Sequence, residues 1–577
     1  MLVSRNSWAR YRTSLFPIAT MKNILGLARI QCHPNSVNPK VILTLPRIGH
    51  VSALFRLLAT ALIALVIVAS ARGDEIIPKT ASISGPAQIE HIRAAAMPLN
   101  ETILAQRQQE LKEREQYLER HHQRAPPLPK SEKPIERLRA LPRTALPTAL
   151  NSTQTSIKTI LDRVLTIRET GGPVSTICEP SLAMRGDDVL VTGNWFASFS
   201  TNASSPISEF KSIRPGDLFP PPESRLEFCC DQLAVYEPRR DILIWLLQYE
   251  YHENGDGNLV RLAVAKGDDI KNQKWRYYDL TPDAVGHYKK EWFDFPAWAV
   301  SNNYLYVTTN SFATCCGDKP PFARSIAIRI PLDKLAAYQG FNLQYFDTKD
   351  FGTGDQLFSL CPTQGASSTM YLGAHVSESK LRVYTWPDAG DKVVATDVDV
   401  EPWSSDQPVA PNPYGGDWLT RADSRITAGW ASKNTIGFAW IAAMDVNHHF
   451  PHVRVVILEN DTKNVLEEPH IYSGDFAYAY PAAAPNADGE VGVAVEFGGN
   501  TINPSSAVGV LKRSRNGQSS WDLATSAAGK AFPPSGQWGD YVTMRLDGKN
   551  PKNWVAASFI RDNNGTPQVS YHIFTLK

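Results

Sequence analysis

The chain has 577 residues, and its 59 basic side chains almost balance 58 acidic ones, leaving a net charge of +1. Near-neutrality removes the bulk electrostatic case for nucleic acid or an anionic membrane surface as partner, and the length is ample for a large core.

The charge is unevenly spread. The first 73 residues hold no Asp or Glu, yet carry Arg5, Arg10, Arg12, Lys22, Arg29, Lys40, Arg47, Arg56 and Arg72. Within them the apolar run 57–71 follows Arg56 and ends in Ala69, Ser70 and Ala71. A basic flank, a short apolar core and a small-x-small ending describe a secretory signal, cleaved after Ala71. The run falls short of the roughly 20 residues of a membrane span. An uncleaved signal anchor is the alternative, and only then is a membrane a partner. The long leader fits a later start, for example at Met21. Residues 1–71 are thus leader and secretory signal, and the expected location is secreted, periplasmic or cell-surface.

Residues 72–150 read as a helix plus a Pro-rich linker. A polar tether to about residue 100 leads into a helix over 101–122, where Leu104, Leu111 and Leu118 recur every seven residues among Glu, Gln, Arg and Lys. Three such positions make a surface or docked helix rather than a coiled coil. Residues 126–147 are proline-rich and read as an extended linker. The segment 161–169 is the expected closing strand of the domain that follows.

From 151 to 577 one phrase recurs seven times: an opening residue, a short alternating strand, a turn and a strongly apolar strand. The openings are Glu179, Asp231, Asp294, Cys361, Asp423, Tyr480 and Asp540, separated by 52, 63, 67, 62, 57 and 60 residues. A repeat of that length, rich in β-branched and aromatic residues, is one four-stranded sheet per repeat. The fold class is therefore all-β, a seven-bladed β-propeller on an N-terminal helical and Pro-rich stalk. Because only 38 residues remain from Asp540 onward, six blades with a divergent remainder is the alternative count.

Beyond Cys32 in the leader, six cysteines remain, and an even number in an oxidising compartment suggests disulfides. Cys178 and Cys230 each precede a strand-opening acid in adjacent blades, so Cys178 is expected to bridge Cys229 or Cys230. Cys361 is expected to bridge Cys315 or Cys316, with the two leftover cysteines paired to each other. Vicinal bridges at 229–230 and 315–316 are the strained alternative. No pair has the CxxC spacing of a zinc site.

The turn from Ser514 to Trp521 resembles a degraded Asp-box, S-x-D-x-G-x-T-W, with Asn516 in place of the Asp and Gly517 one place early. It falls between the third and fourth strands of a blade, as in the sialidase-type (BNR-repeat) propellers. Such a resemblance speaks to fold rather than activity. What it implies for a site is three arginines around a substrate carboxylate, a Tyr–Glu nucleophile pair and an Asp acid. Arg425, two residues past the fifth opening, suits the first role. Arg185, Arg239, Arg240 and Arg545 lie further along or past their strands, no arginine opens the first blade, and the F/Y-R-I-P phrase is absent.

A propeller brings the start of each innermost strand to one end of its channel. Glu179, Asp231, Asp294, Asp423 and Asp540 should then share one mouth, and like charges that close cannot all ionise freely. They would hold a cation such as Ca2+, donate to and accept from a sugar, or cleave a glycosidic bond as a pair, with Glu179, Asp231, Asp294 and Asp540 the catalytic candidates. The bland alternative is that each acid caps its own turn. Trp292, Trp418, Tyr480, Trp538 and Tyr541 stand beside them, and flat rings near carboxylates suit carbohydrate. Gly-Asp pairs at 354–355, 416–417 and 474–475 read as turns ahead of the openings. The run from Asp445 to His452, with His448 and His449, reads as a surface loop, with metal binding the alternative. The expected function is carbohydrate binding at an acidic, aromatic rim without turnover. The alternatives are a sialidase-like glycoside hydrolase and a protein-binding cell-surface scaffold.

Overall fold

The computed structural model describes residues 74–89, 99–131, 148, 150–152, 155–205, 208–222, 224, 226–317, 319–351, 357–513, 518–532 and 537–577. The leader and signal, most of the Pro-rich linker, the Gly354-Asp355 pair and the Asp-box turn 514–517 lie outside them.

Seven antiparallel sheets form a ring, so the seven-bladed count holds and the six-bladed alternative falls. The innermost strands are Ser181–Arg185, Phe228–Glu237, Glu291–Val300, Cys361–Pro362, Ile426–Ser432, Ala477–Pro485 and Thr543–Leu546. Each blade is packed on both faces by its neighbours, so its middle strands are apolar without alternation. Ile242–Tyr249, ILIWLLQY, is buried at every position. The seventh blade is completed by Ile157–Val164, which pairs antiparallel with Pro567–Leu576, Tyr571 opposite Arg163. The closing strand therefore begins four residues before the segment expected from sequence, and Glu169 lies in the turn beyond it. This N-to-C closure ties the two ends of the ring with backbone hydrogen bonds.

The expected tether does not hang free. Asp74–Ile76, Lys79–Ile83 and Ala87–Gln88 add a fifth strand to the outer edges of blades 4, 3 and 2 in turn. Outer edges carry unpaired backbone groups, and covering them removes sites for edge-to-edge association.

The cysteine expectation is corrected. Cys229–Cys230 and Cys315–Cys316 are vicinal disulfides, while Cys178 and Cys361 are unbridged and buried. The reason lies in the packing. Cys178 sits among Leu182, Trp538 and Phe559, and Cys361 among Ile426 and Phe438. The Cys229–Cys230 pair instead meets Trp195 and the leucines of the N-terminal helix. Cysteines of adjacent blades thus face different clefts.

Candidate functional site

The site lies at the channel mouth and is built on irregular backbone. Glu179, Phe295 and Tyr480 all adopt left-handed φ of 50, 51 and 50°. For residues with a Cβ this region costs of order 1–3 kcal/mol each, and such strain clusters at functional positions. Register shifts at Asp294/Ala297, Ile426/Ala428 and Ala479/Ala482 mark β-bulges in three of the inner strands. Bulges re-aim side chains, and here they lie where the opening residues meet the mouth.

Four of the five acids gather with two arginines, and the fifth, Asp423, borders an adjoining pocket with the same arginines and Asp540. Glu179, Asp231, Asp294, Asp540, Arg421 and Arg425 line one small cavity, together with Gln248 and the Cys229–Cys230 disulfide. Arg425 clasps Asp423 through Nε (2.8 Å) and NH2 (2.5 Å) and lies 3.9 Å over the Phe295 ring. Arg421 donates to Asp540 at 3.0 Å. Gln248 donates to Asp294 at 3.1 Å, and Asn194 to Glu179 at 2.9 Å.

Five carboxyls against two guanidiniums leave three acids without a cationic partner, and their proton affinities divide accordingly. Burial, and then the charge of Asp231 and Asp540, pushes Glu179 well above the usual carboxylate range. Burial and the charges of Asp294 and Asp540 do the same to Asp231, which shares a hydrogen bond with Glu179. Burial also raises Asp294. Against that same burial, Arg421 and Arg425 bring Asp540 down to about 2, and Arg425 holds Asp423 below its ordinary value. Two carboxyls that hold their protons more tightly than usual thus sit beside two that hold theirs less tightly, in one desolvated space.

The aromatic candidates divide as well. Tyr480 borders a pocket shared by Arg421, Asp423, Arg425 and Asp540, and Trp292 lines the main cavity, stacked 4.4 Å from Tyr251. Trp418 and Trp538 are fully buried behind the mouth, 5.9 Å apart and edge to face. Tyr541 borders the channel below and meets Phe295 edge-on at 5.9 Å. Trp418 and Trp538 therefore support the ring of acids from behind. Arg185 is spent on Asp241 and Asp188, and Arg240 on Asp333 and Glu237, both away from this cavity. Asp417 accepts from Ala410 and Leu419 N–H groups and closes its own turn.

Among the described residues the mouth acids do not bring three donor atoms within reach of one metal ion. Calcium takes 6–8 oxygens, whereas two guanidiniums already occupy this ring. The chemistry of the donor set suits protons and hydroxyl groups better than Ca2+.

Over the mouth lies a cover that the sequence did not disclose. The helix Glu101–His121 is capped by Asn100, which accepts from Ile103 N–H. It is anchored on the first blade: Glu110 pairs with Arg214, and Glu115 accepts from Ser175 Oγ and Thr176 N–H. Leu111, Tyr117 and Leu118 pack on Trp195 and the Cys229–Cys230 disulfide. Two of the three heptad leucines, Leu111 and Leu118, thus form a docking stripe. Past the helix, His122 stands 3.7 Å from Asp540, and burial holds its imidazole down to about 4. Gln123 C=O accepts from Arg425, and Ala125 N–H donates to Asp423. Lys130 then pairs with Glu378 and Asp406, both at 2.9 Å. The cavity left beneath is about 40 Å³, enough for water but far below the roughly 300 Å³ of a small-molecule pocket.

Sequence reasoning missed Arg421, His122 and the disulfide wall. Arg421 had a usable signal, because Arg421 and Arg425 flank Asp423 by two residues on either side. His122 had none, since its partner lies more than 400 positions away.

No family model matches the chain, and no curated protein is similar to it. Solved structures are similar in fold at low identity. An intramolecular trans-sialidase from Ruminococcus gnavus shares 10% identity over 60% of this chain and 94% of its own, with a TM-score of 0.35. A Penicillium chrysogenum α-L-arabinanase shares 9% over 59% and 92%, also at 0.35. The α-L-arabinofuranosidase Arb93A from Fusarium graminearum shares 10% over 72% and 98%, at 0.34. These likenesses are of fold alone.

Proposed function

We propose that this protein is an exported propeller that takes a carbohydrate at its acidic channel mouth. One observation carries the reading: buried polar atoms that make no hydrogen bond within the protein converge there. They are Tyr480 OH, Tyr541 OH, Arg421 Nε, Asp540 Oδ1, Gln248 Oε1, Asn194 Oδ1 and His122 Nε2. Native interiors satisfy nearly all buried polar groups, and a cluster of exceptions marks a place meant for a polar ligand. A sugar offers hydroxyl donors and acceptors on most of its carbons. The carboxyls and the two tyrosine hydroxyls complement it, and Trp292 supplies an apolar face. In this reading the segment from Glu101 to Ser131 holds the mouth closed and must lift for the sugar to enter.

A second reading, glycoside cleavage, is favoured by the divided protonation. Hydrolysis needs one carboxyl that keeps its proton and one that has lost it. Glu179 with Asp231 fits the first role and Asp540 the second.

The test is a glycan array with the full chain and with a chain shortened to begin at Thr148, each beside its Asp231→Asn, Asp294→Asn double variant. Binding by the shortened chain that the double variant loses supports the mouth as the site. Release of new reducing ends from the bound glycans supports cleavage. Binding unchanged by the double variant, or no glycan bound by either length, overturns both readings.

A further inference from the structure

We propose that Asp445, His448 and His452 form a binding site for a divalent transition-metal ion of the zinc type, separate from the channel mouth. The loop Ala443–Pro451 joins two strands of the fifth blade, Thr435–Ala442 and His452–Glu459. One ligand atom from each of the three side chains lies within 4.8 Å of the other two.

The local bonding explains why the loop takes this shape. Asp445 Oδ1 accepts from the N–H groups of Asn447 and His448, at 2.8 and 3.0 Å, and so closes the turn. Its Oδ2 meets only His448 Nδ1, at 3.0 Å. His448 lies stacked on His452 with ring centroids 3.8 Å apart, which sets two imidazole edges side by side. His452 is fully buried, and its ring nitrogens meet no side chain in hydrogen-bond geometry, with only the Phe450 backbone near them. A neutral imidazole carries one donor and one acceptor, and burying both unpaired is costly. A metal ion removes the acceptor's share of that cost, because it takes the lone pair directly.

The neighbours set the limits of the site. His470 Nδ1 accepts from Val455 N–H at 3.2 Å, so its proton is on the other nitrogen and it bounds the site without ligating. Tyr472 closes the outer side, 4.8 Å from His448. Arg454, the nearest cation, is neutralised by Glu468 at 2.7 Å. Two imidazoles and one carboxylate are the donors that zinc and its first-row neighbours take, and three protein ligands leave a fourth position for water or an external donor. The ion takes the place of the proton that His448 Nδ1 shares with both Asp445 oxygens, at 2.9 and 3.0 Å, and the neutral imidazole keeps that proton by moving it to Nε2. The loop also reaches the sixth blade, where Tyr478 N–H donates to Pro451 C=O. An ion here would therefore brace the fifth-blade loop that carries this contact to the sixth blade.

The experiment uses the full chain stripped with EDTA and dialysed, then titrated with Zn2+ against a chromophoric chelator. One equivalent should bind, and Asp445→Asn and His448→Ala should each weaken it by about 100-fold or more. The exposed neighbour variant His449→Ala and the mouth variant Asp231→Asn should leave it unchanged. Absence of binding, equal binding by the Asp445 and His448 variants, or loss in Asp231→Asn would overturn the assignment. Should the ligand variants fail to fold, Co2+ added to the unaltered chain decides. Visible bands of four- or five-coordinate cobalt are expected, and the spectrum of the free six-coordinate ion is the contrary result.

Discussion

Two buried arginines show how differently this fold treats charge in its blades and at its mouth. Arg261, inside the second blade, spends its whole guanidinium. It donates to Asp279 through Nε and NH2 and to Pro220 C=O and Tyr249 OH through NH1, with the Tyr277 ring 4.0 Å away. Arg421, at the mouth, donates to Asp540 through NH2 and leaves Nε unpaired. Both are buried, yet one is saturated and the other is not. Saturation is what a structural ion pair needs to offset desolvation. An unpaired Nε alone is no sign of a ligand, since Arg454 and Arg561 have one away from the mouth; it is the gathering of several unpaired donors and acceptors around Arg421 that points to one.

The comparison breaks most sharply at Arg425, which does both jobs. Arg425→Met should destabilise the chain by about 3–5 kcal/mol in denaturant unfolding at pH 7, because Asp423 is left buried with only N–H partners. A loss below about 1 kcal/mol would mean that Asp423 is effectively solvated and the mouth is open. Next in size is Asp540→Asn, expected to cost about 2 kcal/mol at pH 7. Asp540 titrates at about 2 when folded, below its unfolded value. Between those values the unfolded chain holds a proton that the folded chain lacks. The stabilisation is therefore full above the unfolded value and disappears as pH falls through the folded one. The difference between variant and parent should close over that window.

Asp231→Asn should act in the opposite direction. Asp231 is pushed up in the fold, so above the ordinary carboxylate range the folded chain keeps a proton that the unfolded chain has lost. Stability from this group falls as pH rises. The variant should gain about 1 kcal/mol at pH 7 and nothing at pH 3, the pattern of a site that gives up stability for function. A destabilised variant at pH 7 would mean that the carboxyl is structural.

The blades were legible because burial on both faces makes each one an apolar phrase of fixed length. The opening acids were legible because they punctuate that phrase, and they do meet at the mouth. The outer-edge strands were not. Asp74–Ile76 and Ala87–Gln88 are too short to show a period and are held by backbone pairing. The helix was legible as a helix, but Leu111 and Leu118 do not say what they dock on. The disulfide pairing was not legible, because neighbouring blades in sequence do not bring their cysteines to one cleft. Trp418 and Trp538, read as rim residues from their place beside acids, are packed behind it. Position along a strand is visible in sequence, whereas the face a bulge turns a side chain toward is not.

The smallest perturbation sharpens the comparison best, because it touches the cover and leaves the ring alone. Asn100→Ala removes the bond to Ile103 N–H and should cost the helix about 1 kcal/mol. No residue of that helix is fully buried. Its opening therefore need not unfold the propeller, and the loss should appear locally. Amide exchange and proteolysis within 101–121 should quicken about fivefold, while the global unfolding midpoint stays where it was. A cover that opens independently fits a mouth whose unpaired donors wait for a ligand. If the global midpoint falls instead, helix and ring unfold as one unit. The mouth would then be as permanently closed as the Arg261 site, and its unpaired atoms would belong to a strained core.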